Sequence, residues 1–159
     1  MRNIRLITVG RLKESYLSQG CAEYLKRLSA YARVQVAELD EVRLPERPSA
    51  AQIAAALAAE GEKILDKAEG SALIALCVEG DMLTSEQLAA RLDALEVQGR
   101  SAVSFAIGSS FGMGDAVKRA AVLRLSFSRM TFPHQLMRLM LCEQLYRACS
   151  ISAGGKYHK

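Results

Sequence analysis

Residues whose side chains can do chemistry are concentrated between Gly108 and Lys159. This stretch contains a glycine-rich turn at Gly108–Gly114, a polar loop at Leu125–Pro133 and the terminal segment Tyr157–Lys159. Residues 114–159 carry eight Lys or Arg and two acids, about +6, whereas the whole chain has a net charge of +4. The rest of the chain is therefore slightly acidic. This asymmetry indicates that one end of the molecule binds something negatively charged.

The glycine-rich turn follows a predicted strand and precedes a predicted helix, a position where backbone amides can contact a ligand. Its glycines, Gly108, Gly112 and Gly114, do not have the G-x-G-x-x-G spacing of a dinucleotide site. The turn also lacks the Gly-Lys-Ser/Thr of a phosphate loop. Both sites are disfavoured, and a structural turn and a ligand-binding loop stay equally open.

The polar loop Leu125–Pro133 has a similar position, between a strand and the last helix. Ser128 and Thr131 are suited to cap that helix, or the backbone of the loop binds a ligand beside Gly108. His134 lies in the first turn of the helix, where the dipole disfavours its charged form, so capping or packing is expected.

The terminal residues Lys156–Lys159 also have two interpretations. After the double glycine Gly154-Gly155, they are a frayed end, or they bring a stacking ring, a titratable base and two phosphate-binding lysines together. Glu143 and Arg147 have the spacing of a solvated helix pair. The cations upstream either form a phosphate-binding face or keep the surface soluble; they are Lys118, Arg119, Arg129 and Arg138.

Length and composition narrow the class of protein. A chain of 159 residues, half of them apolar, is expected to form one domain over residues 1–159. The apolar run at the start of the chain is too short and too interrupted for a signal peptide. No apolar run has the length of a membrane span. A cytoplasmic protein is therefore expected. The four cysteines, without a C-x-x-C pattern, predict small buried side chains and no metal site; they are Cys21, Cys77, Cys142 and Cys149.

Short apolar runs alternate with amphipathic ones along the chain. The strands are predicted at Ile4–Val9, Val34–Leu39, Ala72–Val78, Val103–Ile107 and Leu123–Phe127. The helices are predicted at Lys13–Ala32, Ser49–Lys67, Thr84–Val97, Asp115–Val122 and from Pro133 to near Gly154. This alternation indicates an α/β fold with an open, mostly parallel sheet of five to six strands flanked by helices. Ligands of such sheets bind at the carboxyl ends of the strands, where both loops lie.

The motifs taken together are more specific than any one of them. The whole chain resembles the ribosomal large-subunit pseudouridine N3-methyltransferases, a small bacterial family of the SPOUT, or trefoil-knotted, methyltransferases. The residues that carry the resemblance are Val9–Glu14, Glu23–Leu28, Ile107-Gly108, Leu125–His134, Glu143–Ala148 and Tyr157–Lys159.

The resemblance implies a fold, a cofactor and a partner. The implied fold has a C-terminal trefoil knot, an exception to the rule that chains are unknotted. The implied state is a homodimer in which the tail reaches the partner's pocket, and the implied substrate is 23S rRNA in the large subunit or 70S ribosome. The knot would bind S-adenosylmethionine against Leu76, Gly108, Phe127, Ser128, Arg129, Met130, Thr131 and Phe132.

The implied reaction methylates N3 of a pseudouridine, which must lose its imide proton. His158 is the candidate base and Tyr157 the candidate contact to the target ring. Arg138, with Arg147 and Lys159, would bind phosphates or stabilise charge on the imide. A flavodoxin-like nucleotide- or flavin-binding module and a non-enzymatic ribosome-binding factor are the alternative functions.

The chain departs from the family pattern at two positions. Ser109 stands where the family usually has a second glycine, and its Cβ is expected to narrow the approach of the cofactor. Cys149 stands where a bulky aromatic is usual, which predicts a repacked core.

Overall fold

Five strands and five helices alternate in the computed structural model, which describes residues 1–159. The strands are β1 (Arg2–Val9), β2 (Ala32–Leu39), β3 (Ala72–Met82), β4 (Ala102–Ile107) and β5 (Leu123–Ser126). The helices are α1 (Ser15–Leu28), α2 (Ala50–Ala68), α3 (Ser85–Val97), α4 (Asp115–Ala120) and α5 (His134–Ser152). All ten predicted elements are confirmed, with ends that differ by a few residues.

The strands form one sheet in the order β2-β1-β4-β3-β5, and every neighbouring pair is parallel. The predicted α/β fold with a parallel sheet is confirmed. Strand β1 lies between β2 and β4: it pairs with β2 from Arg2 to Val9 and with β4 from Asn3 to Thr8. The trefoil knot stays a prediction.

Both faces of the sheet are buried, as expected when helices cover a parallel sheet on both sides. Alternate residues of β1 enter different cores: Ile4 and Leu6 face one and Ile7 and Val9 the other. The larger core contains buried side chains of α1, α3 and α5, and the smaller one those of α2 and α4. The sheet is therefore the middle of three layers, and its carboxyl edge is free to bind a ligand.

Local sequence signals set the helix ends. The capping boxes predicted before α2 and α3 both form: Ser49 accepts from the backbone of Gln52, and Thr84 accepts from that of Gln87. Shortly after these helices, Gly70 and Gly99 have φ values of 76° and 80°, the left-handed conformation that ends a helix.

Strand β3 is longer than predicted. The sequence places its end at Val78, but the strand continues to Met82, and Leu125 of β5 aligns with both Leu76 and Asp81. Residues 77–80 therefore bulge away from β5. Gly80 is needed there, since a Cβ would lie 2.6 Å from the carbonyl oxygen of Arg124. Beyond Val78 the strand continues through Glu79, Gly80 and Asp81, residue types that gave no strand signal.

The structure contains neither a helix suited to span a membrane nor a cluster suited to bind a metal ion. None of the helices combines the length and the apolar composition needed to cross a bilayer. No cluster of three or more His, Cys, Asp or Glu side chains could hold a metal ion.

Candidate active site

A cavity of about 570 Å³ opens at the carboxyl ends of β3, β4 and β5. Its floor is formed by the last residues of these strands, among them Leu76, Ile107 and Leu125. The glycine-rich turn and the loop after β5 form its walls, and Met137 of α5 closes one side. This size and this mixture of apolar side chains with a few polar groups are typical of a cofactor site.

Seven of the eight residues predicted to bind the cofactor line this cavity. They are Leu76, Gly108, Phe127, Ser128, Met130, Thr131 and Phe132. Arg129 does not: its exposed side chain lies instead at a surface depression beside the Val78–Met82 segment. The charged side chain of Arg129 therefore faces solvent, while its neighbours in the loop line the cavity.

The glycine-rich turn folds tightly over Gly108. The amide of Gly112 donates to the carbonyl of Ser109 at 2.9 Å, and Gly112 has a φ of 95°. A Cβ at Gly108 would lie 2.7 Å from the carbonyl carbon of Gly112 and collide with its oxygen. The turn thus requires glycine at both positions. Of the two interpretations of this turn, a ligand-binding loop fits its place in the cavity wall.

Ser109 does not project its hydroxyl freely into the cofactor cavity. The residue is buried, and its Oγ donates to Glu60 Oε1 of α2 at 3.0 Å. The second departure, Cys149, is also buried, beside the guanidinium of Arg2. Its predicted place in the core is confirmed.

The bulge of β3, which the sequence did not predict, forms a further wall at the carboxyl end of this strand, where a ligand was expected. Cys77, Val78 and Glu79 line the cavity, together with Lys118 of α4. The ammonium of Lys118 binds Glu79 and holds the pKa of that carboxyl below its usual range. Burial raises the pKa of Cys77, so its thiol stays protonated. Cys77 is the exception to the expectation that the cysteines are buried, since it is only half-buried.

His134 lines the cavity at the start of α5. Its Nε2 lies 3.7 Å from Glu41 Oε1. Gly10 makes room for this pair, since a Cβ there would lie 3.0 Å from Glu41 Oε1 and 3.2 Å from His134 Nε2. The helix has no side-chain cap, so the expected capping by Ser128 or Thr131 does not occur. Ser128 Oγ instead accepts from the backbone of Met130 within the loop.

The C-terminal segment is docked on the protein, contrary to its interpretation as a frayed end. The ring of Tyr157 lies 4.6 Å from that of Tyr146, centroid to centroid, and the guanidinium of Arg147 lies 4.6 Å above it. Tyr157 donates to Glu143 Oε1 at 3.1 Å. Arg147 binds the same carboxylate, so the helix pair expected to be solvated is half-buried beneath the tail.

The contacts of His158 fix its hydrogen-bonding pattern. Nδ1 lies 3.2 Å from Arg147 Nη1, and Nε2 lies 2.7 Å from Glu86 Oε1. A guanidinium can only donate, so Nδ1 accepts and Nε2 donates to Glu86. None of Tyr157, His158 and Lys159 lines the cofactor cavity of its own chain.

Arg138 lies apart from the tail. It is buried between α5 and the sheet, with an ion pair from Nη1 to Glu38 Oε2 at 2.7 Å and a long hydrogen bond to Thr8 Oγ1 at 3.5 Å. Its Nε has no partner in the protein. A guanidinium held in this way is suited to join α5 to β1 and β2, and it is not brought together with Tyr157 and His158.

We expect Glu38→Ala to lower the free energy of unfolding by about 2 kcal/mol, since it leaves the buried guanidinium of Arg138 without its charged partner. Urea unfolding measures the change. Asp40→Ala is the matched control: Asp40 and Arg11 form an exposed pair at 3.4 Å, whose loss should cost less than about 0.5 kcal/mol. Equal losses in the two variants would show that Arg138 has no special structural role.

Comparisons with known proteins agree with this site. The family described as "Predicted SPOUT methyltransferase" matches residues 2–158. The chain is 54% identical over 158 residues to the Ribosomal RNA large subunit methyltransferase H of Bacillus pumilus, with 99% of each chain covered. It is 52% identical over 159 residues, again with 99% of each covered, to the protein of that name from Pelotomaculum thermopropionicum. A probable methylase family protein from Haemophilus influenzae shares the fold, with a TM-score of 0.56 at 11% identity over 99% of this chain and 71% of the other.

The chain therefore belongs to the SPOUT methyltransferase family. It is a methyltransferase that uses S-adenosylmethionine, as the resemblance in the sequence implied. The cavity at the strand ends fits that cofactor, since it offers apolar walls, backbone groups of two loops and enough volume.

Proposed function

We propose that this protein methylates N3 of a pseudouridine in 23S rRNA, with residues 1–159 acting as one domain. The relatives named above are ribosomal RNA large subunit methyltransferases that match it over nearly their whole length. The observation that carries the proposal is the pairing of a cofactor-sized cavity with a C-terminal Tyr-His-Lys segment on the basic end of the chain.

S-adenosylmethionine supplies an electrophilic methyl group on a sulfonium. The residues that would hold it are those lining the cavity at the ends of β3, β4 and β5, with Leu76, Gly108, Phe127, Ser128 and Met130–Phe132 as the main contacts. Their task is to bind, orient and exclude water. The exposed side chain of Met130 at the rim is suited to cover the opening.

The tail supplies the groups needed on the substrate side. Burial, and then hydrogen bonding to Tyr24 and Glu143, raise the pKa of Tyr157 to about 12, so it stays a neutral phenol that donates a hydrogen bond. It is thus a contact for the target ring and not its base. His158 would accept the imide proton at Nδ1, which requires the substrate to replace Arg147 at that atom. Arg147, once released, would bind a phosphate or the charge that develops on the imide.

We propose a homodimer because the tail and the cavity of one chain lie apart. The tail packs on α5 and does not line the cavity of its own chain, so a second copy would have to bring its tail to that cavity. Each active site would then combine a cofactor cavity from one protomer with Tyr157–Lys159 of its partner. We propose that Arg138 supports this active site indirectly: its contacts with Glu38 and Thr8 of the sheet hold α5, on which the tail packs, in place.

The proposed substrate is the large subunit within the assembled ribosome, and the proposed location is the cytoplasm. A basic segment of only about +6 suits a protein that recognises a preformed surface and does not wrap free RNA.

The test is methyl transfer from labelled S-adenosylmethionine to ribosomes that lack the modification, with naked 23S rRNA from the same strain as the comparison. We expect incorporation into the ribosomes at one pseudouridine, located by mass spectrometry, and little into naked rRNA. Ribosomes with uridine at that position are the matched control and should stay unlabelled. Incorporation into neither substrate would favour the ribosome-binding factor, and a yellow protein with bound flavin would favour the flavodoxin-like module. Equal incorporation into both substrates would contradict recognition of the assembled ribosome.

A further inference from the structure

We propose that Glu60 is a positioning residue for the cofactor: it holds the glycine-rich turn in its binding conformation through Ser109. This inference rests on the proposed function, because it assigns a role in binding S-adenosylmethionine. Glu60 lies in the middle of α2, is only 4% exposed, and is the one carboxylate buried in the protein.

Both oxygens of Glu60 are used, and each binds a different segment of the chain. Oε1 accepts from Ser109 Oγ at 3.0 Å, and Oε2 accepts from the backbone amide of Val42 at 2.9 Å. Neither donor is charged, and no Lys, Arg or His forms an ion pair with this carboxylate. A carboxylate is expensive to bury in this way, so a purely structural helix position would be better filled by an apolar residue.

One donor belongs to the wall of the cofactor cavity, and the other lies next to a residue that contacts this wall. Ser109 follows Gly108, the residue on which the turn closes, and lines that cavity. Val42 follows Glu41, whose carboxylate lies beside His134 on another side of the cavity. Glu60 therefore connects α2 to the turn after β4 and to the loop after β2.

The surface of α2 around Glu60 is shaped to receive the turn. A Cβ at Gly114 would lie 3.0 Å from the carbonyl oxygen of Leu57, and a Cβ at Gly61 would lie 3.1 Å from Val117 Cγ2. The turn and the start of α4 thus pack closely on this face of α2. Ser109 adds the directional contact that close packing alone does not provide, since a hydrogen bond fixes one orientation of the turn.

The test measures cofactor binding by calorimetry in the full-length protein, for Ser109→Ala, Glu60→Gln and the double variant. We expect the dissociation constant of S-adenosylmethionine to rise about tenfold in Ser109→Ala, the loss typical of one hydrogen bond to a charged group. The double variant should lose no more than the more affected single variant, because Ser109→Ala already removes the contact through which Glu60 acts on the turn. Glu62→Gln, on the exposed side of α2, is the matched control and should bind normally.

A second readout separates positioning from stability and does not involve the cofactor. Without ligand, amide exchange in residues 109–113 should become faster in Ser109→Ala and in Glu60→Gln, while exchange in the β1 and β4 amides stays as in the wild type.

Steady-state kinetics give a third readout. With saturating cofactor, the kcat of these variants should change less than twofold, while their KM for S-adenosylmethionine rises.

Unchanged exchange in the turn together with an unchanged dissociation constant would overturn the role of Glu60. Faster exchange throughout the protein, with a lower melting temperature and normal binding, would also overturn it, in favour of a structural role. If the wild-type protein bound no S-adenosylmethionine, the proposed function itself would fail, and the inference with it.

Discussion

Removing Tyr157–Lys159 should abolish methyl transfer and leave cofactor binding intact. The tail carries the proposed base, His158, and none of its residues lines the cofactor cavity of its own chain. The single change His158→Ala should lower kcat about 10²- to 10⁴-fold, the usual contribution of a positioned acid or base. Single-turnover methylation of unmodified ribosomes gives the rate, and calorimetry gives the affinity for S-adenosylmethionine.

The structure offers two controls for the truncation. Its circular dichroism spectrum should be that of the full chain, because the tail lies outside all ten helices and strands. Tyr157→Phe keeps the ring that packs on Tyr146 and loses the hydrogen bond to Glu143, so it should be impaired less than His158→Ala. Full activity without the tail would remove Tyr157 and His158 from the mechanism.

Gly108→Ala should affect the other half of the active site. The added Cβ collides with the backbone of Gly112, which a side-chain rotation cannot relieve, so the turn must move. We expect the free energy of unfolding to fall by about 1–3 kcal/mol, the usual cost of overpacking. The dissociation constant of S-adenosylmethionine should rise at least about tenfold, since the displaced turn forms a wall of the cavity.

Gly70→Ala is the matched control for this substitution. Gly70 has a φ of 76°, so alanine there is strained, but its Cβ would meet no atom within 4 Å and it lies outside the cavity. This variant should lose stability and bind the cofactor normally. A Gly108→Ala protein with wild-type affinity would exclude the turn from the cofactor site.

The two defective proteins together test the proposed dimer. A mixed dimer of one truncated and one Gly108→Ala protomer contains an intact cavity in the first and an intact tail in the second. If the tail reaches the partner's cavity, one complete site forms and activity returns. If each tail serves its own chain, the mixed dimer stays inactive.

The sequence predicts the fold well because its signals are local. Helix ends are set by the capping residues Ser49 and Thr84, and strand ends by the apolar runs of β1 and β4. None of these signals depends on contacts with distant segments of the chain. Most residues of the proposed cofactor site line one cavity, as expected from the resemblance of the chain to a family and from the rule that ligands bind at strand ends.

The parts of the site that the sequence did not predict depend on contacts between distant segments. The bulge at residues 77–80 appears only when β5 pairs with β3 on both sides of it. Glu60 reads as an ordinary polar helix residue until α2 packs beneath Ser109. In the sequence, Arg138 cannot be distinguished from an exposed arginine, because its partner Glu38 lies a hundred residues away in the chain. The one available sign of Glu60 was its spacing, since it lies four residues from both Ala56 and Ile64 and so falls on the apolar face of α2.

The position of β1 in the sheet determines how long one of its edges stays unpaired while the chain is being synthesised. β1 finds its first partner, β2, early, but its other side stays unpaired until β4 has been made, since Asn3 aligns with Ala102. Until then the nascent chain exposes an apolar strand edge, which is prone to associate with other unfinished chains. The cavity for the methyl donor forms still later, because its last strand, β5, follows β4. A polypeptide released before β4 would therefore be both unable to bind its cofactor and prone to aggregate.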